Sequence, residues 1–372
     1  MARLVSEFPS HRSLTLLSRI LLQPQPRDPS VTSPERIQLK RDLLGLRREE
    51  FNDLLMLARD HHVIVRGLEV VLSLMREEEN ATRTEWAGDA LAAERARIAT
   101  LLVFLREICA AFHERRYDVT VMKSLDHWPD LGSDLDLYTD ADPEGVSRLM
   151  RETFDARIAP RSYGDRLANK WSFILPELPE EVEVHIGRLG QTGEQLAIAS
   201  SMADRSRQLQ FGGYRFQVPS TSDRVMISTL QRMYRHFNFR LCDIIDTAAL
   251  ADAGAIDYEN LRSLAGAAGI WEGAATYLRI VSDYAMSYRG TGLDLPQFVT
   301  AAAKFGGDEI FYNRGYLRVP LMPQSARLYG LQLARVLGRG ELHSGARLSL
   351  LPWLAIAAAA KYRFTGSDKG VW

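Results

Sequence analysis

The chain has 372 residues, enough to bury a sizeable core and to build two or three structural units. Its 46 basic and 47 acidic side chains nearly cancel, which argues against a dedicated nucleic-acid binder, because such proteins carry a basic excess for the phosphate backbone. The most apolar run, Leu348 to Ala360, is interrupted by Pro352 and is too short to cross a bilayer, which takes about 20 residues; it reads as a buried helix, and no membrane partner is expected.

Residues 1–34 form an N-terminal segment with one short amphipathic pattern (Leu14, Leu16, Leu17, Ile20, Leu21) and a Pro-rich linker (Pro24, Pro26, Pro29, Pro34). They show no charged-then-apolar leader pattern. Ser33 before Pro34 suits a helix start, with serine as N-cap and proline at the first helical position. Residues 35–117 read as a helical region. Ile98, Leu101, Leu102, Leu105, Ile108, Cys109 and Phe112 recur at three-four spacing, and Glu77-Glu78-Glu79-Asn80 marks a turn before that stretch. Cys109 and Cys242 lie far apart in helical patterns and read as buried free thiols in a reducing compartment, so a soluble, cytoplasmic protein is expected.

Between 118 and 220 the period changes. Val119 to Met122 is a short β-branched run, and Leu135-Asp136-Leu137-Tyr138 alternates with period two. Val146 to Phe154 is helical. Lys170–Leu175 and Glu181–Ile186, separated by Pro176 to Glu180, suit an antiparallel hairpin, and Tyr214 to Val218 is a further strand. Residues 221–372 read as a second helical region with breaks near Gly254, Gly290 and Gly306. The expected class is α+β, a small mixed-sheet core flanked by N-terminal and C-terminal helical regions. The final stretch, Ala326 to Trp372, carries seven Lys/Arg and two acids, which allows a local basic patch.

The chemistry-bearing pattern is Gly132-Ser133-Asp134-Leu135-Asp136-Leu137. On a strand, Asp134 and Asp136 share a face while Leu135 and Leu137 point to the core. Two converging carboxylates repel unless water or a cation lies between them, and hard oxygen ligands suit Mg²⁺ or Mn²⁺. Asp-x-Asp alone also marks a solvated strand face. Glu181-Val182-Glu183-Val184-His185-Ile186 alternates in the same way, with Glu181, Glu183 and His185 on one face, so one α/β unit offers a second acidic strand to complete a three-carboxylate set.

These residues resemble the DNA polymerase β-like nucleotidyltransferase superfamily, in particular its bacterial branch of nucleotidyltransferase family proteins. Val121-Met122-Lys123-Ser124 is similar to that branch's Lys-Gly strand, Gly132 to Leu137 to its metal strand, and Glu183-Val184-His185 to its acid-x-His strand. His236 to Leu241 and Asp243 to Thr247 resemble its helical signature. The likeness runs over about residues 40–285. It implies a nucleotidyltransferase core that moves an NMP from an NTP to an acceptor, with Asp134, Asp136 and Glu183 catalytic and holding Mg²⁺ or Mn²⁺. Glu183 is preferred to Glu181 because it adjoins the matching Val-His. Nucleotide binding falls to Lys123, Ser124, Gly132, Ser133, His185 and Arg240. A serine replaces the expected glycine after Lys123, and Gly132-Ser133 abuts Asp134 rather than following the first strand.

The favoured acceptor is a small molecule; a toxin-like enzyme acting on a protein or tRNA, and an inactive scaffold that retains the fold, stay open beside it. Among other residues, Arg240 reads either as a triphosphate ligand or as a partner of Asp243 or Asp246. His61-His62 reads as a helix-end detail without a ligand partner. Asp126 and Asp130 read as turn chemistry beside Pro129, and Trp128 as a candidate to stack on a base.

Overall fold

Ser33 caps its helix as the Ser-Pro pair predicts, its hydroxyl accepting from Arg36 N–H at 3.2 Å. In the computed structural model, which describes residues 11–23 and 33–365, this is the second of five helices that precede the first strand. They are α1 His11–Leu22, α2 Pro34–Leu44, α3 Arg48–Asp60, α4 Ile64–Glu77 and α5 Ala81–Glu114. Residues 24–32 of the Pro-rich stretch, and 366–372 of the basic end, lie outside the described residues. The acidic turn falls where expected, with Asn80 accepting from Arg83 N–H to cap α5. The three-four stripe of α5, Leu101, Leu105, Ile108 and Phe112 among it, is buried.

The protein is α+β with a mixed sheet. Five strands, β1 Thr120–Met122, β2 Asp134–Thr139, β3 Arg157–Ile158, β4 Lys170–Ile174 and β5 Glu181–Ile186, lie in the order β1-β2-β5-β4-β3. The hairpin between β4 and β5 is antiparallel as expected, whereas β2 and β5 run parallel. Leu135, Leu137, Val182 and Val184, on the other face from the acids, are wholly buried; full burial of each such side chain stabilises the fold by about 1.5–3 kcal/mol. Tyr214–Val218 is a strand, paired with Arg207–Phe211 in a separate two-stranded ribbon.

The C-terminal region is mainly helical but also holds three short strands that no alternation announced, Asn238–Phe239, Phe311–Asn313 and Tyr316–Arg318. The expected buried helix at 348–360 is a correction. A helix does form, over Leu351–Thr365, but Trp353 and Ile356 on it are 71% and 60% exposed. An apolar run states what a segment could bury, not whether another element reaches it.

The junction of α3 and α4 fastens these regions together. His61 is buried, accepts at Nδ1 from Leu241 N–H at 2.9 Å and donates from Nε2 to Gly315 O at 2.7 Å. Burial holds its pKa down at about 4, matching the neutral ring these two bonds require. Asp130 is not mere turn chemistry. It is buried, accepting from Val65 N–H at 2.6 Å and from Arg66 Nε at 2.7 Å, while Arg66 Nη1 reaches Asp246 at 2.5 Å. Asp126 likewise pairs with Arg224 at 2.8 Å. Asp130→Ala would leave the buried Val65 N–H without its acceptor and Arg66 with Asp246 as its remaining carboxylate, so it should lower the unfolding free energy by about 2–4 kcal/mol in urea titration. Glu69→Ala, which breaks an exposed pair with Arg95, should change it by less than about 1 kcal/mol.

Candidate active site

The parallel register sets Asp134 opposite Glu181 and Asp136 opposite Glu183, with His185 one step further along the same face. Ligand atoms of Asp136, Glu183 and His185 all lie within 4.8 Å of one another. Asp134 adjoins this cluster. Its carboxyl is pushed up to about 6, first by burial and then by the charges of Asp136 and Glu183.

Each inner carboxylate has its own cation. Lys123 Nζ pairs with Asp136, and Lys170 Nζ lies 2.9 Å from both Glu183 and Asp165. Burial works to raise the pKa of Asp136, but the Lys123 ammonium and His185 outweigh it and hold the group well below the usual carboxylate range. His185 is buried, and its pKa is lowered chiefly by that burial. Both its ring nitrogens lack a hydrogen-bond partner among the described residues, with Nε2 3.7 Å from Asp136 Oδ1.

These groups form one wall of a cleft of about 340 Å³, which Lys123, Ser124, Gly132, Ser133, Asp134, Asp136, Glu183 and Arg240 all line. His185 faces an adjoining recess that shares Lys123 and Arg235 with the cleft. Ser124 is less free than a phosphate ligand would be. Its hydroxyl accepts from Asp136 N–H at 2.8 Å and donates to Asp134 O at 3.2 Å, so it clamps the start of β2. A Cβ at Gly132 would stand 3.2 Å from His62 Cε1, a tight contact that the imidazole would have to relieve by a few tenths of an ångström.

The facing wall is basic. Ser220 caps the helix Thr221–Thr229, which continues as a π-turn over Leu230–Arg235, closed by His236 N–H to Gln231 O at 2.8 Å. This wider turn brings Gln231, Arg232 and Arg235 to the cleft. Arg232 is paired with Asp243 at 2.7 Å; among the described residues Arg235 has no ion pair. The guanidinium of Arg240 pairs with neither Asp243 nor Asp246 but donates to His62 Nε2 at 2.9 Å. His62 is therefore part of the cleft rather than a helix-end detail, a second correction. Trp128, 37% exposed, packs edge-on to Phe211.

Sequence reasoning missed Arg232, Arg235, His62 and His127 as residues lining the cleft, and Lys170 as the partner of Glu183. Only Lys170 carried a local signal, standing opposite His185 in the hairpin register. No protein-family model, curated protein or solved structure matches the chain.

Among the described residues Lys170 is the one cation bonded to Glu183, and the pair is partly open to water. Lys170→Met should therefore lower stability by about 1–3 kcal/mol, measured as the shift in urea midpoint, with part of the loss recovered in Lys170→Met/Glu183→Gln, because Asp165 still lacks its lysine there.

Proposed function

We propose that this protein is a divalent-cation-dependent nucleotidyltransferase with a polymerase β-like core, transferring an NMP from an NTP to a small-molecule acceptor. One observation carries the reading: carboxylates on adjacent parallel strands face an arginine wall across a cleft, with the His185 imidazole beside them in the adjoining recess. The donor set fits a metal, since three ligands converge within 4.8 Å and His185 has a buried ring without hydrogen-bond partners. Carboxylates suit Mg²⁺ or Mn²⁺, and the imidazole tilts the choice toward Mn²⁺.

Asp136, Glu183 and His185 would hold the ion, with Asp134 beside them. When bound, the ion neutralises triphosphate charge and acidifies the acceptor hydroxyl. Lys123, paired with Asp136 in this structure, would donate to a phosphate oxygen. Arg235 and Arg240 donate to the phosphates from the opposite wall, where charge-assisted bonds are strongest. The acceptor oxygen attacks the α-phosphorus in line, Glu183 takes its proton, and pyrophosphate leaves with the bonding electrons of the broken P–O bond.

A small acceptor is favoured because three of the C-terminal arginines serve other ends. Arg335 pairs with Glu272, Arg339 with Glu341, and Arg347 donates to Leu167 O and Thr192 O at 2.7 Å. None of the three lines the cleft, so they supply no basic track beside it for RNA. The scaffold reading has support in Lys123 and Lys170, which already satisfy both inner carboxylates without a metal.

Calorimetry with the four NTPs at fixed Mg²⁺ or Mn²⁺ should show one preferred nucleotide. Asp136→Asn should keep the fold and abolish metal-dependent binding. Arg240→Ala should weaken affinity by on the order of 1.5–3 kcal/mol, the scale of a hydrogen bond to a charged group. Undiminished, metal-independent binding in Asp136→Asn, with no pyrophosphate released by the wild type, would establish the scaffold instead.

A further inference from the structure

His62, His127 and Cys242 come from the α3–α4 turn, the loop before β2 and the helix Leu241–Asp252, yet their ligand atoms all lie within 4.8 Å of one another. His127 Nε2 stands 3.7 Å from Cys242 Sγ. Two ligands of one tetrahedral zinc, at about 2.0–2.1 Å for nitrogen and about 2.3 Å for sulfur, stand roughly 3.6 Å apart. The other ring nitrogen of His127, Nδ1, is bonded to Asp246 at 2.5 Å. Metal-bound histidines characteristically have such a carboxylate behind them, fixing the ring and raising its basicity. Asp246 is itself held by Arg66 at 2.5 Å, and Arg66 by Asp130.

The same Cys-His-Asp line could suggest a nucleophilic thiol, but Cys242 is wholly buried and lines neither the cleft nor the recess, so no substrate reaches its sulfur. Burial raises the pKa of the Cys242 thiol, so a thiolate there requires a bound cation, and a soft N/N/S donor set selects zinc over the hard cations suited to Asp136 and Glu183.

We propose that His62, His127 and Cys242 form a zinc site, separate from the carboxylate cluster, whose fourth position opens toward the cleft. The described residues supply no fourth protein ligand, and His62 and His127 both line the cleft, so water or an anionic ligand completes the tetrahedron. The Nε2 lone pair of His62 accepts from Arg240 Nη1, so Arg240, which already lines the cleft, would have to release that nitrogen for His62 to bind a metal through it. Cys242 gives up its proton to solvent as the Zn–S bond forms. The bound charge is set against the thiolate and Asp246, with Arg66 and Arg240 opposing.

The test uses the full chain, purified without a polyhistidine tag from zinc-supplemented cells. Elemental analysis should find about one zinc per chain. Replacement by Co²⁺ should give the thiolate-to-cobalt charge-transfer band in the near ultraviolet. Cys242→Ser should abolish the band while Cys109→Ser, at the other buried thiol, keeps it. Asp246→Asn should weaken cobalt affinity about 10–100-fold, the usual effect of losing the carboxylate behind a ligand histidine. His62→Asn, at the cleft wall, serves if Cys242→Ser fails to fold, and should also reduce affinity. Asp136→Asn should leave the band unchanged, which separates this site from the nucleotidyltransferase reading. Wild type without stoichiometric zinc and without a cobalt-thiolate band would overturn the proposal, as would a band that survives Cys242→Ser.

Discussion

The cleft is organised around an unfavourable pairing. Parallel registration of β2 and β5 places Asp134 against Glu181 and Asp136 against Glu183, and like charges directly opposite one another destabilise a sheet. The register is nevertheless enforced from behind, because Leu135, Leu137, Val182 and Val184 share the other face and are wholly buried. A one-residue slip would send those apolar side chains outward and the acids into the core. The repulsion therefore has to be met by cations, and Lys123 from the end of β1 and Lys170 from the start of β4 meet it from either side.

That constraint explains why the flanking helical regions converge where they do. The arginines of the π-turn and Arg240 stand across from the acids, and the α3–α4 junction holds the surrounding pieces in place through His61, His62 and Arg66. Arg66 bridges Asp130 of the loop before β2 and Asp246 of the helix Leu241–Asp252. Shape and charge in the cleft thus depend on contacts between residues up to 254 positions apart.

Legibility in the chain divides along the same line. The two acidic strands are legible because period-two alternation records which face is buried, and the Ser33 cap and the β4–β5 hairpin are legible because their causes are local. The parallel pairing of β2 with β5 is not, since alternation does not reveal a strand's neighbour. His62 looks idle in the sequence because its companions, His127, Arg240 and Cys242, are distant. Helical spacing offers Arg240 the acids Asp243 and Asp246, yet Arg232 and Arg66 claim them in the fold. Ser124 invites a reading from its hydroxyl, which the structure commits to the backbone of β2. The helix Leu351–Thr365 misleads because apolar content is not burial.

The π-turn at Leu230–Arg235 has a consequence for how the basic wall can vary. Each residue of an α-helix advances the direction of its side chain by about 100°, and a π-turn accommodates one residue more than an α-turn does. Deleting a single residue there, even one that touches nothing in the cleft, would tighten the π-turn to an α-turn, leaving the preceding helix in phase but re-aiming the side chains within the turn. Arg232 and Arg235 would keep their identity and charge yet lose their bearing on the carboxylates. The wall is set by phase as well as composition, so a change in length at this point carries a penalty that no substitution of like for like would reveal.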